Sequence, residues 1–215
     1  QWQDLLLSVV RGVGTIDHCL KKAGKESLPA VEDFLTDALF TTITNANFDD
    51  DAILRKITDG IVLKKQLADK ASEESVSLPD WPEVKWGGDE DDFEAEGKRE
   101  GVLRTENADL RSLKELTVLG LKGMAAYYEH ASRLGEHSSA IIDFMSEALF
   151  TITDPDSSME TLLNCVLTTG KYGVDVMALL DKANTEVYGN PELTKVNIGV
   201  GKNPGILISG HDLKD

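Results

Sequence analysis

Cysteine is nearly missing from this chain of 215 residues, where only Cys19 and Cys165 occur. Both fall inside helical patterns with no paired spacing, so they give neither a disulfide framework nor a zinc site and read as plain buried thiols. Positive charge is scarce as well. Lys and Arg number 22 against 38 Asp and Glu, a net charge of −16, and that field repels phosphate backbones and anionic membrane surfaces, which disfavours nucleic-acid and membrane partners. No apolar run reaches the roughly 18 residues of a membrane helix. The start, QWQDLLLSVVRG, has no positively charged leader. The expectation is a globular cytoplasmic protein, with 41% hydrophobic residues to fill a core. Position 1 is not Met, and the end stops just after an apolar run, so both ends read as cut from a longer chain.

What the chain does have is helical periodicity. Leu6, Val9, Val13, Ile16 and Leu20 recur at three- or four-residue steps and Gly24 supplies a stop, which predicts a first amphipathic helix. A second starts around Pro29 and carries Val31, Phe34, Leu35 and Ala38. A third follows the caps Asp49, Asp50 and Asp51 with Ile53, Ile57, Ile61 and Leu67. The unit then returns. DFLTDALFTTIT at 33–44 matches DFMSEALFTIT at 143–153, and Gly12 and Gly24 match Gly123 and Gly135 at an offset of 111. In the third helix Ile53, Ile57 and Gly60 are paired with Leu163, Leu167 and Gly170, and LADKA at 67–71 with LLDKA at 179–183.

Between the repeats, 72–105 holds eleven acidic residues against four basic and includes the run Asp89-Glu90-Asp91-Asp92. It reads as a solvated acidic surface excursion. A calcium loop would need the D-x-[DN]-x-[DN]-G-x5-E spacing, which is absent. A di-iron bundle would need Glu-x-x-His pairs projecting inward, and none occurs. Glu129-His130 and Glu136-His137 recur seven residues apart, which on a helix puts both imidazoles on similar faces. These, like His18, read as surface or capping histidines. GVGKNPG at 199–205 is unlike a phosphate loop because it precedes an apolar run instead of following a strand and opening a helix.

That run, Gly205 to Ser209, is short, branched and apolar and follows the turn residues Lys202-Asn203-Pro204-Gly205, so it is expected to be a strand. His211 follows at the strand's carboxyl end, where open α/β sheets hold their ligands. From position alone it divides equally between a ligand or catalytic group and a loop imidazole satisfied by Asp212. The chain therefore divides into a first three-helix bundle over 1–71, an insert over 72–105, a second bundle over 106–195 and the start of an α/β domain over 196–215. The fold class is mainly α, with two tandem three-helix bundles.

Four segments in order, TNANFDDDAI at 44–53, YYEHASRLGEH at 127–137, LLDKANTEVYGNP at 179–191 and ILISGHDLKD at 206–215, resemble the hybrid-cluster (prismane) protein family. The resemblance implies an iron–sulfur oxidoreductase described as a hydroxylamine reductase and linked to nitric oxide reduction. It implies a helical first domain of two three-helix bundles followed by two α/β domains, and a second iron–sulfur cluster besides the hybrid iron–sulfur–oxygen one. It makes His211 an iron ligand of the hybrid cluster. The expected partners are a small-molecule substrate and an NADH-dependent electron-donor reductase. The family's amino-terminal four-cysteine motif has no counterpart before Cys19, and the resemblance puts the remaining hybrid-cluster ligands, further cysteines and glutamates, in the later domains, so neither cluster is expected on this portion alone, which should be inactive. Nickel carbon monoxide dehydrogenases, whose histidine segment lacks the Asp-Leu-Lys-Asp continuation, are the nearest alternative, and a non-catalytic helical interaction domain is the other.

Overall fold

The computed structural model describes residues 1–45, 48–196 and 198–206. Six long helices carry the fold: α1 (Trp2–Lys22), α2 (Ala30–Thr44) and α3 (Asp50–Glu73) in the first repeat, α6 (Ala108–Arg133), α7 (Ser139–Thr153) and α8 (Met159–Tyr188) in the second. The chain is mainly α, and among the described residues there is no strand. The expected strand over Gly205–Ser209 has only Gly205 and Ile206 within the described residues, both without regular structure, and its remainder lies outside them.

Local sequence sets the helix ends. Gly24, just past α1, has φ +71, a conformation that glycine adopts without steric cost. Asp49 caps α3 by accepting from the Ala52 N–H at 2.9 Å, and Asn107 caps α6 by accepting from the N–H groups of Asp109 and Leu110, both at 3.0 Å.

Packing exchanges the repeats. Helix α1 packs on α3 and, nearly as extensively, on α7, while α6 packs on α8 and α2. The interior is a single cluster that runs from Leu5 and Leu6 through Leu35 and Ile57 to Leu121, Met145 and Leu149. Two separately sealed cores are therefore not what these helices build. Matched side chains keep matched roles: Phe40 of α2 meets His130 of α6 with ring centroids 5.6 Å apart, and Phe150 of α7 meets His18 of α1 at 4.8 Å. Phe34 of α2 lies over Gly60 of α3, while Phe144 of α7 stacks on Tyr172 of α8 at 4.2 Å.

The third helices align in a different register from the one the sequence suggested. Ile53 and Ile57 are fully buried, whereas Leu163 and Leu167 are 47% and 65% exposed. Besides Leu162 in its first turn, the buried positions of α8 are Cys165, Thr169, Val176 and Ala183. They fall opposite Ile53, Ile57, Lys64 and Ala71 of α3 at the offset of 112 that joins LADKA to LLDKA. Matching leucine to isoleucine by chemistry followed the apolar residues, not the face that points inward.

The segment 72–105 is not a solvated excursion. After α3 ends at Glu73 it forms α4 (Pro82–Lys85), α5 (Glu90–Gly97) and a 3-10 turn (Val102–Arg104), and both helices pack on α1. Phe93 is buried there, with Trp86 against it at 5.9 Å. The acidic count concealed an apolar underside, formed by Val84, Trp86 and Phe93, that joins the main core.

Candidate functional site

The one site residue singled out by the sequence, His211, lies outside the described residues. What the structure places are the other histidines, both thiols and three polar clusters.

His18 is half-buried against Phe150, and burial lowers its pKa. His137 does not share a helical face with His130, because α6 ends at Arg133 and His137 stands in the loop beyond it. Its Nδ1 lies 2.6 Å from Oε1 of Glu32. Cys19 is half-buried, not fully buried as expected, at the edge of a cavity of about 670 Å³ lined also by Lys22, Lys25, Glu74 and Phe150. Cys165 is buried beside Thr117 and Thr169. Burial pushes both thiols above their usual range, which keeps them protonated and poorly nucleophilic at neutral pH.

Two of the polar clusters join the repeats, again with the elements exchanged. On the α1–α7 side, Ser146 donates to Oδ2 of the fully buried Asp17 at 2.6 Å, and Lys21 bridges Asp17 (2.8 Å) and Asp143 (2.7 Å). Burial opposes the Lys21 charge, but hydrogen bonds to Asp143 and Asp17 outweigh it and raise its pKa. On the α2–α6 side, the Tyr128 hydroxyl donates to Glu32 at 2.9 Å and accepts from the Ser138 N–H at 2.9 Å. Burial, reinforced by Glu32, holds that phenol well above its ordinary range. Tyr128 and Asp17 correspond at the offset of 111.

The third cluster pins α4. Lys64, on the buried face of α3, donates to the carbonyl oxygens of Glu83 (2.8 Å) and Trp86. Burial lowers its pKa to about 8, against the pull of Glu83, Glu100 and Glu96. Arg104 bonds Glu83 at 2.9 Å and Glu100 at 2.8 Å. The sequence held a sign of this, a lysine within the apolar stripe Ile53, Ile57, Gly60, Leu67. Nothing there announced Asp17 or Tyr128, whose partners in the opposite repeat, Ser146 and Glu32, are remote in the chain.

All three clusters are links between helices, and in them only Oδ1 of Asp17 is buried without a hydrogen-bond partner. No group of three or more His, Cys, Asp or Glu is placed to hold a metal ion among the described residues. An iron–sulfur cluster needs several thiolate or imidazole donors converging on it, and the two thiols here stand on α1 and α8 with raised pKa values. The described residues do not fit such a group. Among them, also, no helix is long and apolar enough to cross a membrane.

The Prismane/CO dehydrogenase family model matches residues 1–215. The chain belongs to this family. Among its relatives, a hydroxylamine reductase of Bacteroides thetaiotaomicron is 55% identical over 213 residues, which is 99% of this chain and 38% of the relative. One from Bacteroides fragilis is 53% identical over 213 residues with the same coverage, and one from Clostridium novyi is 49% identical over 216 residues, 99% of this chain and 39% of the relative. This chain of the prismane/CO dehydrogenase family therefore spans about two-fifths of the length of the relatives it matches.

Proposed function

We propose that this chain is the helical scaffold of an iron–sulfur oxidoreductase whose intact form reduces hydroxylamine to ammonia and water. The observation that carries the reading is the identity of 55% to a hydroxylamine reductase across 99% of this chain. The overall change adds two electrons and two protons to hydroxylamine and breaks its N–O bond, giving one ammonia and one water. A separate electron-donor reductase, drawing on NADH, supplies the electrons, and the whole operates in the cytoplasm; nitric oxide is a second substrate on this reading.

Within that division of labour the described residues hold helices in place and bind no iron. His211 is assigned as an iron ligand of the hybrid cluster and marks where the scaffold hands over to the metal-binding part. The test is to purify the full-length protein and its His211→Ala variant anaerobically, count iron, record electron paramagnetic resonance spectra and measure hydroxylamine consumption with a reduced dye. The expected variant keeps its helical content and loses the cluster signal and turnover. Unchanged iron, spectrum and turnover would overturn the ligand assignment, and a wild-type protein with iron but no ammonia formation would overturn the reaction.

A further inference from the structure

The two repeats differ on one face, and the difference points to what covers the second. On α1 the residues Leu5, Ser8, Gly12 and Ile16 are buried, with Leu5 and Ile16 at 0% exposure. The covering is local: α4 and α5 pack on α1, and the Glu83 carbonyl lies so close over Gly12 that a Cβ there would collide with it. At the offset of 111 the same face of α6 is Leu116, Leu119, Gly123 and Tyr127. Those three side chains are 53%, 63% and 44% exposed, and nothing lies within 4 Å of a Cβ built on Gly123. An apolar face with a bare glycine at its centre has thus been built twice and closed once.

Helix α8 repeats the contrast. Its outward residues Leu163, Leu167 and Met177 stand where α3 carries Asp51, Arg55 and Lys65, all exposed. A solvent-facing position that is charged in one repeat and apolar in the other is not explained by helix periodicity alone.

The occupant follows from chain order. In the first repeat the cover is the segment that leaves α3. Its counterpart in the second repeat is the segment that leaves α8, starting at Gly189. Among its described residues, Leu193, Val196, Ile198, Val200 and Ile206 are largely exposed, and the relatives carry about three-fifths of their length outside the matched region. We propose that in the longer protein the chain following α8 folds back over the Leu116, Leu119, Gly123 and Tyr127 face of α6, as α4 and α5 do over α1. The inference is independent of the reaction the protein catalyses.

The experiment uses the full-length protein. Leu119→Cys, Leu116→Cys and the solvent-facing control Arg55→Cys are treated with a maleimide, and labelling at each site is followed by mass spectrometry. Positions 119 and 116 are expected to react at least tenfold more slowly than position 55; equal rates would overturn the proposal. Benzoylphenylalanine at position 119 then identifies the cover. Photo-cross-links to the chain beyond residue 188 are expected, whereas cross-links between two copies, cross-links confined to residues before 188, or none at all would each overturn it.

Discussion

Helices α1 and α6 are the same element of the repeat in two different settings. Of the 21 residues of α1, twelve are buried, and α3, α7, α2, α4 and α5 enclose it. Of the 26 residues of α6, seven are buried, and one side, which on α1 lies under α4 and α5, is open. An element's pattern therefore fixes which faces are fit for burial, while its neighbours decide which faces are buried. The polar links carry the same lesson. Asp17 and Tyr128 occupy equivalent positions and both reach the opposite repeat's second helix, one through a carboxylate and the other through a phenol.

The first way to break the comparison is to lift the cover from α1. Phe93→Ala removes the buried aromatic anchor of α5 and should destabilise this chain by about 3–5 kcal/mol. Hydrogen exchange should rise in α4, α5 and the Leu5–Ile16 face, leaving α1 exposed on the side where α6 is open. Protection unchanged along α1 would show that α5 contributes little to the closure.

Lys64 tests the same cover through pH. The folded pKa is lowered to about 8 from 10.5, so between those values the unfolded chain holds the proton that the folded chain has released. Stability contributed by this group therefore rises as pH rises through that window and is lowest below about pH 8. Relative to Lys64→Met, the wild type should gain up to roughly 3 kcal/mol across the whole window. Denaturant titrations of both proteins from pH 7 to 10 check it, and a difference that stays flat or falls contradicts it.

The two matched glycines should respond with opposite signs. At Gly12 a methyl group meets the Glu83 carbonyl and the Lys64 side chain, and Gly12→Ala should cost about 1–3 kcal/mol through displacement of α4. At Gly123 there is open space, and Gly123→Ala should stabilise this chain by up to about 1 kcal/mol through helix propensity. Thermal melts of the pair measure the contrast directly, and the same sign at both sites would remove it.

A modest effect is expected at the polar link. Tyr128→Phe leaves the Ser138 N–H and Glu32 without their shared hydroxyl and should cost about 1–2 kcal/mol in chemical denaturation. A neutral outcome would mean that solvent replaces the hydroxyl on this side of the molecule.

The sequence by itself determined the helices and their ends. Periodic apolar residues, Gly24 and the Asp49 cap act within a turn or two, and such local interactions are written in neighbouring residues. It also determined the repeat and the family, because the four quoted segments carry identity directly. What it left undecided rests on partners distant in the chain. Charge counting treated the segment 72–105 as solvated, because the contacts of Phe93 with the core have no local trace and the lysine in the apolar stripe of α3 does not say which carbonyls it meets. Matching residues by chemistry misplaced the register of α8, since only packing shows that Cys165 and Thr169, not Leu163 and Leu167, point inward. The exchange of helices between repeats, the linking roles of Asp17 and Tyr128, and the closure of one apolar face but not its twin were decided by tertiary structure. Burial is a property of what lies opposite a side chain, and the chain's local pattern specifies only one of the two surfaces.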